Sequence, residues 1–298
     1  MQAFYLITSS QNPDTAELSQ FCTQHGLSPH QILSDESGAQ INDSTIAWVV
    51  TENGGARSDF TVLRHEAREH GFDVNHFQPG QQPKKLLIAD MDATIIRGES
   101  LDELAALSGK GEEIAAITRR TMAGELDFET GLNMRLSQLE GQPSSLLDVV
   151  VKNTVITPGA EILIATMRNL GTDCFLVSGG FTFLTGRIAE RLGFTGHHAN
   201  QLELAEGKLT GRVTPPLLTK SSKAEILKAR LAERSLPLSE AVCIGDGAND
   251  IDMLSLAGLG IGFEAKPLVK QAIPTQLDVT NLTGVLYLQG LSASTFSV

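Results

Sequence analysis

Leu86-Leu87-Ile88-Ala89-Asp90-Met91-Asp92-Ala93-Thr94 is an apolar run that stops abruptly at two carboxylates. Such a run reads as a buried parallel strand whose carboxyl end opens into a site. Asp90 and Asp92 stand two apart, so both point to one side if the strand continues, and a turn just after Asp90 lets both converge on one small volume. Convergent carboxylates repel unless a shared proton, a divalent cation or a cationic side chain resolves the conflict. Taken alone, the pair reads equally well as solvated Asp residues at a strand-ending turn.

Three later segments shift that balance. Cys174-Phe175-Leu176-Val177-Ser178-Gly179-Gly180 is a second apolar run, closing on a hydroxyl and two glycines ahead of the helix-like stretch from Phe181 to Leu192. A helix N-terminus there presents free backbone N–H groups to an anion. Ala241-Val242-Cys243-Ile244-Gly245-Asp246-Gly247-Ala248-Asn249-Asp250 is a third strand closing on carboxylates, with glycines where the backbone turns sharply or approaches a ligand. Between them Lys223 opens a helical stretch from Ala224 to Ala232, where a positive charge opposes the helix dipole and calls for an anion nearby. Singly these are a Gly-Gly turn, a surface Lys and an Asp-Gly turn. In this order on three strand ends they mark one site.

The four segments resemble, in order, the motifs of the haloacid dehalogenase superfamily of aspartate-nucleophile phosphohydrolases. Asp90-Met91-Asp92-Ala93-Thr94, Gly98-Glu99-Ser100, Leu126-Asp127-Phe128-Glu129, Arg135, Ser178-Gly179-Gly180-Phe181, Ser222-Lys223-Ala224-Glu225 and Gly245-Asp246-Gly247-Ala248-Asn249-Asp250 are similar to those of its phosphoserine phosphatase family. The similarity covers roughly residues 84 to 275. Ala93 stands where that family usually has Ser, which removes a hydroxyl beside the first Asp.

The resemblance implies Mg2+-dependent hydrolysis of phosphoserine through an aspartyl-phosphate, the last step of serine biosynthesis. In that chemistry Asp90 is the nucleophile, and Asp92 is the acid for the leaving alkoxide and then the base for water. Magnesium is held by Asp90, the Asp92 carbonyl and Asp246, with Asp250 orienting the ligands. Thr94, Ser178, Gly179 and Lys223 hold the phosphoryl oxygens, and Asn249 positions phosphate or substrate. Transfer to an alcohol instead of water uses the same residues. A non-catalytic amino-acid sensor is the reading of another class, and the intact Asp90, Asp92, Lys223 and Asp246 set argues against it.

At 298 residues the chain suggests two domains. A net charge of -12 argues against nucleic-acid and anionic-membrane partners. No apolar run approaches a membrane span, and Met1 to Ser10 lacks a basic region followed by a long apolar one, so a soluble cytoplasmic protein is expected. Cys22, Cys174 and Cys243 have no paired spacing and read as reduced core residues.

Residues 1 to 80 form a separate unit by pattern. Ala3 to Thr8 and Ile46 to Thr51 read as strands, Asp14 to His25 and Ser58 to His70 as helices, and Gln31 to Ser34 and Phe72 to Phe77 as two further short strands. The order β-α-β-β-α-β is that of a ferredoxin-like sandwich. Fold analogy offers a regulatory or dimerising role, with a homodimer formed through this unit. His65 and His70 are five apart and share no helical face, which argues against a zinc site. Gln78-Pro79-Gly80-Gln81-Gln82-Pro83 reads as the linker.

Residues 84 to 298 then read as the doubly wound, Rossmann-like α/β core, interrupted at about 97 to 155 by helices marked by Leu101, Leu104, Ala105, Ile114, Ile117, Phe128, Leu132, Leu136, Leu139, Leu146, Leu147, Val150 and Val151. A bundle inserted just after the first strand sits over its carboxyl end as a lid on the Asp pair. Arg135 lies seven residues after Phe128, on the apolar stripe. It either snorkels outward or faces a carboxylate beneath the lid. Glu99 is either a helix N-terminal acid or the opposite half of a clamp on a zwitterion. The resemblance favours the clamp, with Met122 and Phe128 as apolar walls. Residues after Gln276 carry no recognisable motif.

Overall fold

The computed structural model describes residues 3–11, 15–34, 44–52, 59–219 and 221–298, with Met122 described by its backbone alone. The helix starts expected at Asp14 and Ser58 lie outside the described residues. The chain opens with β1 (Phe4–Ser9), α1 (Thr15–Gln24), β2 (Leu27–Ile32), β3 (Ile46–Glu52), α2 (Phe60–Glu69) and β4 (Asp73–His76). The strands pair antiparallel in the order β2-β3-β1-β4, the ferredoxin-like arrangement. The second strand begins four residues before the expected Gln31. Its Pro29 sits on the edge of the sheet, where a missing N–H costs no ladder bond, and the register shifts just after it.

This sheet is buried on both faces. Tyr5, Ile7, Trp48, Val50 and Val74 pack against Leu18, Phe21, Leu63, Ala67 and Phe72. The alternating neighbours Leu6, Ala47 and Val49 enter the core of the rest of the molecule, beside Val285, Leu286 and Tyr287. The segment after Gln276, silent as sequence, is what the sheet packs on. The buried Asp73 carboxylate accepts backbone N–H bonds from Asp278, Val279 and Thr280 at 2.9–3.1 Å. The Asn75 amide both donates to the Gln276 carbonyl at 2.8 Å and accepts from its N–H at 2.9 Å, a side chain standing in for a β-ladder between the edges of two sheets. Arg68 pairs with Asp278, which Lys270 also reaches at 2.8 Å.

The larger part comprises β5 (Leu86–Ala89), α3 (Ser100–Leu107), α4 (Gly111–Met122), α5 (Phe128–Ser137), α6 (Ser145–Asn153), α7 (Ala160–Asn169), β6 (Asp173–Phe181), α8 (Thr182–Leu192), β7 (Gly196–Ala205), β8 (Lys208–Thr214), α9 (Ser222–Glu233), β9 (Ala241–Gly245), α10 (Ile251–Leu256), β10 (Leu259–Phe263), α11 (Pro267–Ala272), β11 (Thr275–Leu277) and α12 (Gly284–Tyr287). Its sheet order is β11-β10-β9-β5-β6-β7-β8, parallel except for the β7–β8 hairpin. From β5 the chain winds outward one way through β6 and β7, then returns to wind the other way through β9, β10 and β11. The reversal falls between β5 and β9, and a doubly wound sheet opens a crevice at the carboxyl ends there.

Helices α3 to α6 form the expected insertion. Two antiparallel strands of chain root it: Ile96 bridges Ile156, Arg97 N–H donates to Val155 O at 2.9 Å, and Thr157 N–H to Ile95 O at 3.0 Å. On its far side the β7–β8 hairpin braces it through Gly141 N–H to Leu209 O and Ser144 N–H to Gly207 O, both 2.8 Å. Helices α4 and α5 cross closely at Gly131, where a Cβ would fall 2.3 Å from Thr121 Oγ1. Among the described residues no helix is long and apolar enough to cross a membrane, and all three cysteines are buried and free.

Candidate active site

The strand β5 stops at Ala89 and the chain enters one π-helical turn, Met91–Ile95, interrupted by extended backbone at Asp92 and a left-handed Ala93 at φ 53°. Left-handed backbone strains an L-residue by roughly 1 kcal/mol. The kink is closed by Ala93 N–H donating to Gly98 O at 2.9 Å. It lets both carboxylates converge on the crevice rather than stand in line along one face of a strand.

Asp90 is 5% exposed, and its Oδ1 accepts from Met91 N–H at 2.8 Å and from Lys223 Nζ at 2.7 Å. The ammonium of Lys223 also meets Asp250 Oδ1 at 2.6 Å, while Asp250 Oδ2 accepts from Gly247 N–H at 2.9 Å. Gly245 is required there, because a Cβ would lie 2.4 Å from the Asp250 Cγ. Burial and the neighbouring Asp250 charge push the Asp90 carboxyl well up, and Lys223 opposes them. Burial alone would lower Lys223, but the two carboxylates outweigh it and hold the lysine charged.

Asp92 faces a different set of donors. Its Oδ1 accepts from the Ser100 N–H at 2.7 Å, at the start of α3, and its Oδ2 from Ser178 Oγ at 2.9 Å. Ser178 Oγ in turn accepts from Gly180 N–H at 2.8 Å. A side chain at position 180 would press on Asp92 Oδ2 at 2.8 Å and on Ser178 Oγ at 3.0 Å, so glycine keeps this corner open.

These groups line a cavity of about 560 Å³ between the sheet and the inserted helices. Asp90, Asp92, Ser178, Gly179, Lys223, Asp246 and Asn249 form its floor, and Glu99, Phe128 and Arg135 its roof. Thr94 is fully buried behind the residues that line the cavity, and its Oγ1 has no hydrogen-bond partner among the described residues. The Phe128 ring stands over Gly179. The Met122 side chain lies outside the described residues. Arg135 donates through Nε to Gly131 O at 3.1 Å and makes no ion pair among the described residues; burial lowers its pKa, and Asp102 and Glu99 raise it. Burial, then the Asp92 charge, push Glu99 up to about 7, against the pull of Lys266.

One carboxylate oxygen from each of Asp90, Asp246 and Asp250 falls within 4.8 Å of the others. A hard-oxygen set of this kind suits a divalent cation such as Mg2+. Asp250, expected behind the ligands, thus stands inside the cluster, but both its oxygens are committed to Lys223 and Gly247, which orients those two groups. Sequence reasoning gave no role to Lys266, Asp102, Ser100 N–H or Leu132, all at the cavity. Lys266 precedes Pro267 and resembled an ordinary helix start. The signal that could have found it is its place just beyond the carboxyl end of a core strand, as for Asp90 and Asp246.

Residues 87–255 match the model of the haloacid dehalogenase-like hydrolases. The chain belongs to that family. Among this family's members, the phosphoserine phosphatase of Streptomyces coelicolor is 42% identical over 234 residues, covering 78% of this chain and 57% of the relative. The chain therefore spans little more than half of that relative's length. The phosphoserine phosphatase of Lactococcus lactis is 42% identical over 203 residues, covering 68% of this chain and 94% of the relative. A probable phosphoserine phosphatase from Vibrio cholerae, solved in unliganded form, superposes with a TM-score of 0.81 at 28% identity, covering 98% of this chain and 88% of that one. Its fold likeness therefore extends over the N-terminal sheet as well.

Proposed function

We propose that this chain hydrolyses phosphoserine to serine and phosphate through a phosphorylated Asp90. The observation that carries the reading is one cavity with two chemically distinct ends. Buried carboxylates and a buried lysine form the floor, and a glutamate and an arginine form the roof. The floor matches a phosphate ester, and the roof matches an ammonium and a carboxylate. The curated relatives' names point the same way.

Asp90 attacks phosphorus, and Lys223 stabilises the ionised carboxylate and the charge on the phosphoryl oxygens. Asp92 is held by Ser100 N–H and Ser178 Oγ. It gives a proton to the departing serine alkoxide and takes one from the water that cleaves the acyl phosphate. The partnerless Thr94 Oγ1 donates to a phosphoryl oxygen. Asp90, Asp246 and the Asp92 carbonyl would hold Mg2+, which when bound supplies positive charge against the repulsion between carboxylate and phosphate. Asn249 and Gly179 position the ester. Arg135 pairs with its carboxylate, Glu99 with its ammonium, and Phe128 walls the methylene.

The domain division follows from the same reading. Residues 1–80 form the ferredoxin-like unit, residues 84–298 carry the hydrolase core, and the lid occupies about 97–155. No proposed catalytic group lies before residue 84. A homodimer through the first unit and a cytoplasmic location fit this reading. A panel of phosphate esters assayed with Mg2+ tests it. Phosphoserine should exceed esters lacking its amine or its carboxylate in kcat/KM, and equal values across the panel would overturn the substrate assignment.

A further inference from the structure

We propose that Lys266 is a counter-ion shared by Glu99 and Asp246, and that substrate and metal bind there by displacing it. The proposal rests on the reading above for the partners of those two carboxylates. Lys266 sits just past β10, on the same side of the sheet as Asp90 and Asp246, and its backbone N–H is fixed by Asp246 O at 2.9 Å. Its Nζ stands 3.0 Å from Asp246 Oδ2 and 3.6 Å from Glu99 Oε1. Among the described residues this is the one ion pair that joins the inserted helices to the sheet.

The charges around the cavity explain why a cation is needed there. Asp90, Asp92, Glu99, Asp102 and Asp246 line it, against Arg135, Lys223 and Lys266. Lys223 is already committed to Asp90 and Asp250, and Arg135 to its own helix backbone. Of the acids that remain, Lys266 pairs with two, Glu99 and Asp246. One of these is the carboxylate assigned to the substrate ammonium, and the other is a carboxylate assigned to the metal. A single ammonium therefore occupies the charge positions of two incoming cations. An amine-bearing ester must displace the lysine from Glu99, whereas an ester without an amine leaves that pair standing, so the lysine offsets part of the preference for α-amino substrates.

The test compares Lys266→Met, which keeps the stem and backbone bond without charge, with Lys266→Arg. Mg2+ binding is read by calorimetry without substrate. Selectivity is read as the ratio of kcat/KM for phosphoserine to that for its deaminated analogue, 3-phosphonooxypropanoate. Removing a unit charge a few ångström from a cation site should tighten Mg2+ roughly fivefold or more at low salt. The selectivity ratio should rise in the same variant, because the amine no longer competes, and Lys266→Arg should return both quantities toward the parent. Weaker or unchanged Mg2+ binding in a folded Lys266→Met protein, or a falling ratio, would overturn the proposal. If the parent protein does not hydrolyse phosphoserine, the proposed function fails by itself, and the calorimetry still decides whether Lys266 competes with the metal.

Discussion

Replacing Asp73 tests how the N-terminal sheet is fastened to the core. Its carboxylate, 1% exposed, receives three backbone N–H groups, with Asp278 donating to both oxygens and Val279 and Thr280 to Oδ2. In Asp73→Ala all three donors lose their partner. A buried unsatisfied donor costs about 1–3 kcal/mol; the Thr280 bond is fully buried and those of Asp278 and Val279 partly so, and the variant should lose about 3 kcal/mol, with relaxation of the 278–280 turn and water entry keeping the loss below the full sum. Asp73→Asn is a different perturbation. If its carbonyl takes the Oδ2 position, all three donors keep an acceptor, and the loss should stay near 1 kcal/mol, the difference between a charge-assisted and a neutral set of bonds. Urea unfolding at constant pH reads both values, provided that fluorescence and circular dichroism transitions coincide. An Asp73→Ala protein within about 1 kcal/mol of the parent would refute the reasoning, as would equal losses in the two variants.

Arg135→Ala should cost phosphoserine roughly 2 to 5 kcal/mol in apparent transition-state binding, the range for truncating half of a desolvated charged pair. Phosphoethanolamine, which lacks the carboxylate, should change little, and a uniform loss would make Arg135 a lid brace instead. Asp92→Asn should slow phosphoserine far more than an activated aryl phosphate, whose leaving group needs no proton; equal losses in kcat/KM count against Asp92 as the acid. Glu99, held up to about 7 instead of the ordinary 4.5, gains its proton as pH falls through 7 and loses its attraction for an ammonium. The kcat/KM for phosphoserine, divided by that for the deaminated analogue, should therefore fall as pH drops from 8 to 6, and a flat ratio would contradict the pairing.

Much of the site was legible because its signals are local. Strand ends carrying Asp90, Ser178 and Asp246 are each an apolar run closing on a polar group, and parallel strands must bring such ends to one edge. The helical insertion was equally plain, since Leu101, Leu104, Ile114, Ile117, Leu132 and Leu136 repeat at helical spacing and are all buried. What escaped is tertiary. Asp73 in a four-residue strand shows nothing of the turn it caps. The segment beyond Gln276 has no pattern because its partner is another sheet's back face, supplied by Leu6, Ala47 and Val49 more than two hundred residues earlier. Lys266 reads as a residue before a helix until β10 is placed beside β9. Ala93 hides its φ of 53° because nothing but glycine advertises left-handed backbone.

In the proposed reaction the phosphoryl group passes through Asp90. Phosphoserine turnover quenched in acid within one catalytic cycle, followed by peptide mass spectrometry, reads this directly. The expected product is a phosphorylated peptide spanning Leu86 to Arg97, with the group on Asp90, labile to hydroxylamine and absent from Asp90→Asn, which should also be inactive. Full turnover with no phosphoryl group on the protein, or with the group on Asp92, would contradict it.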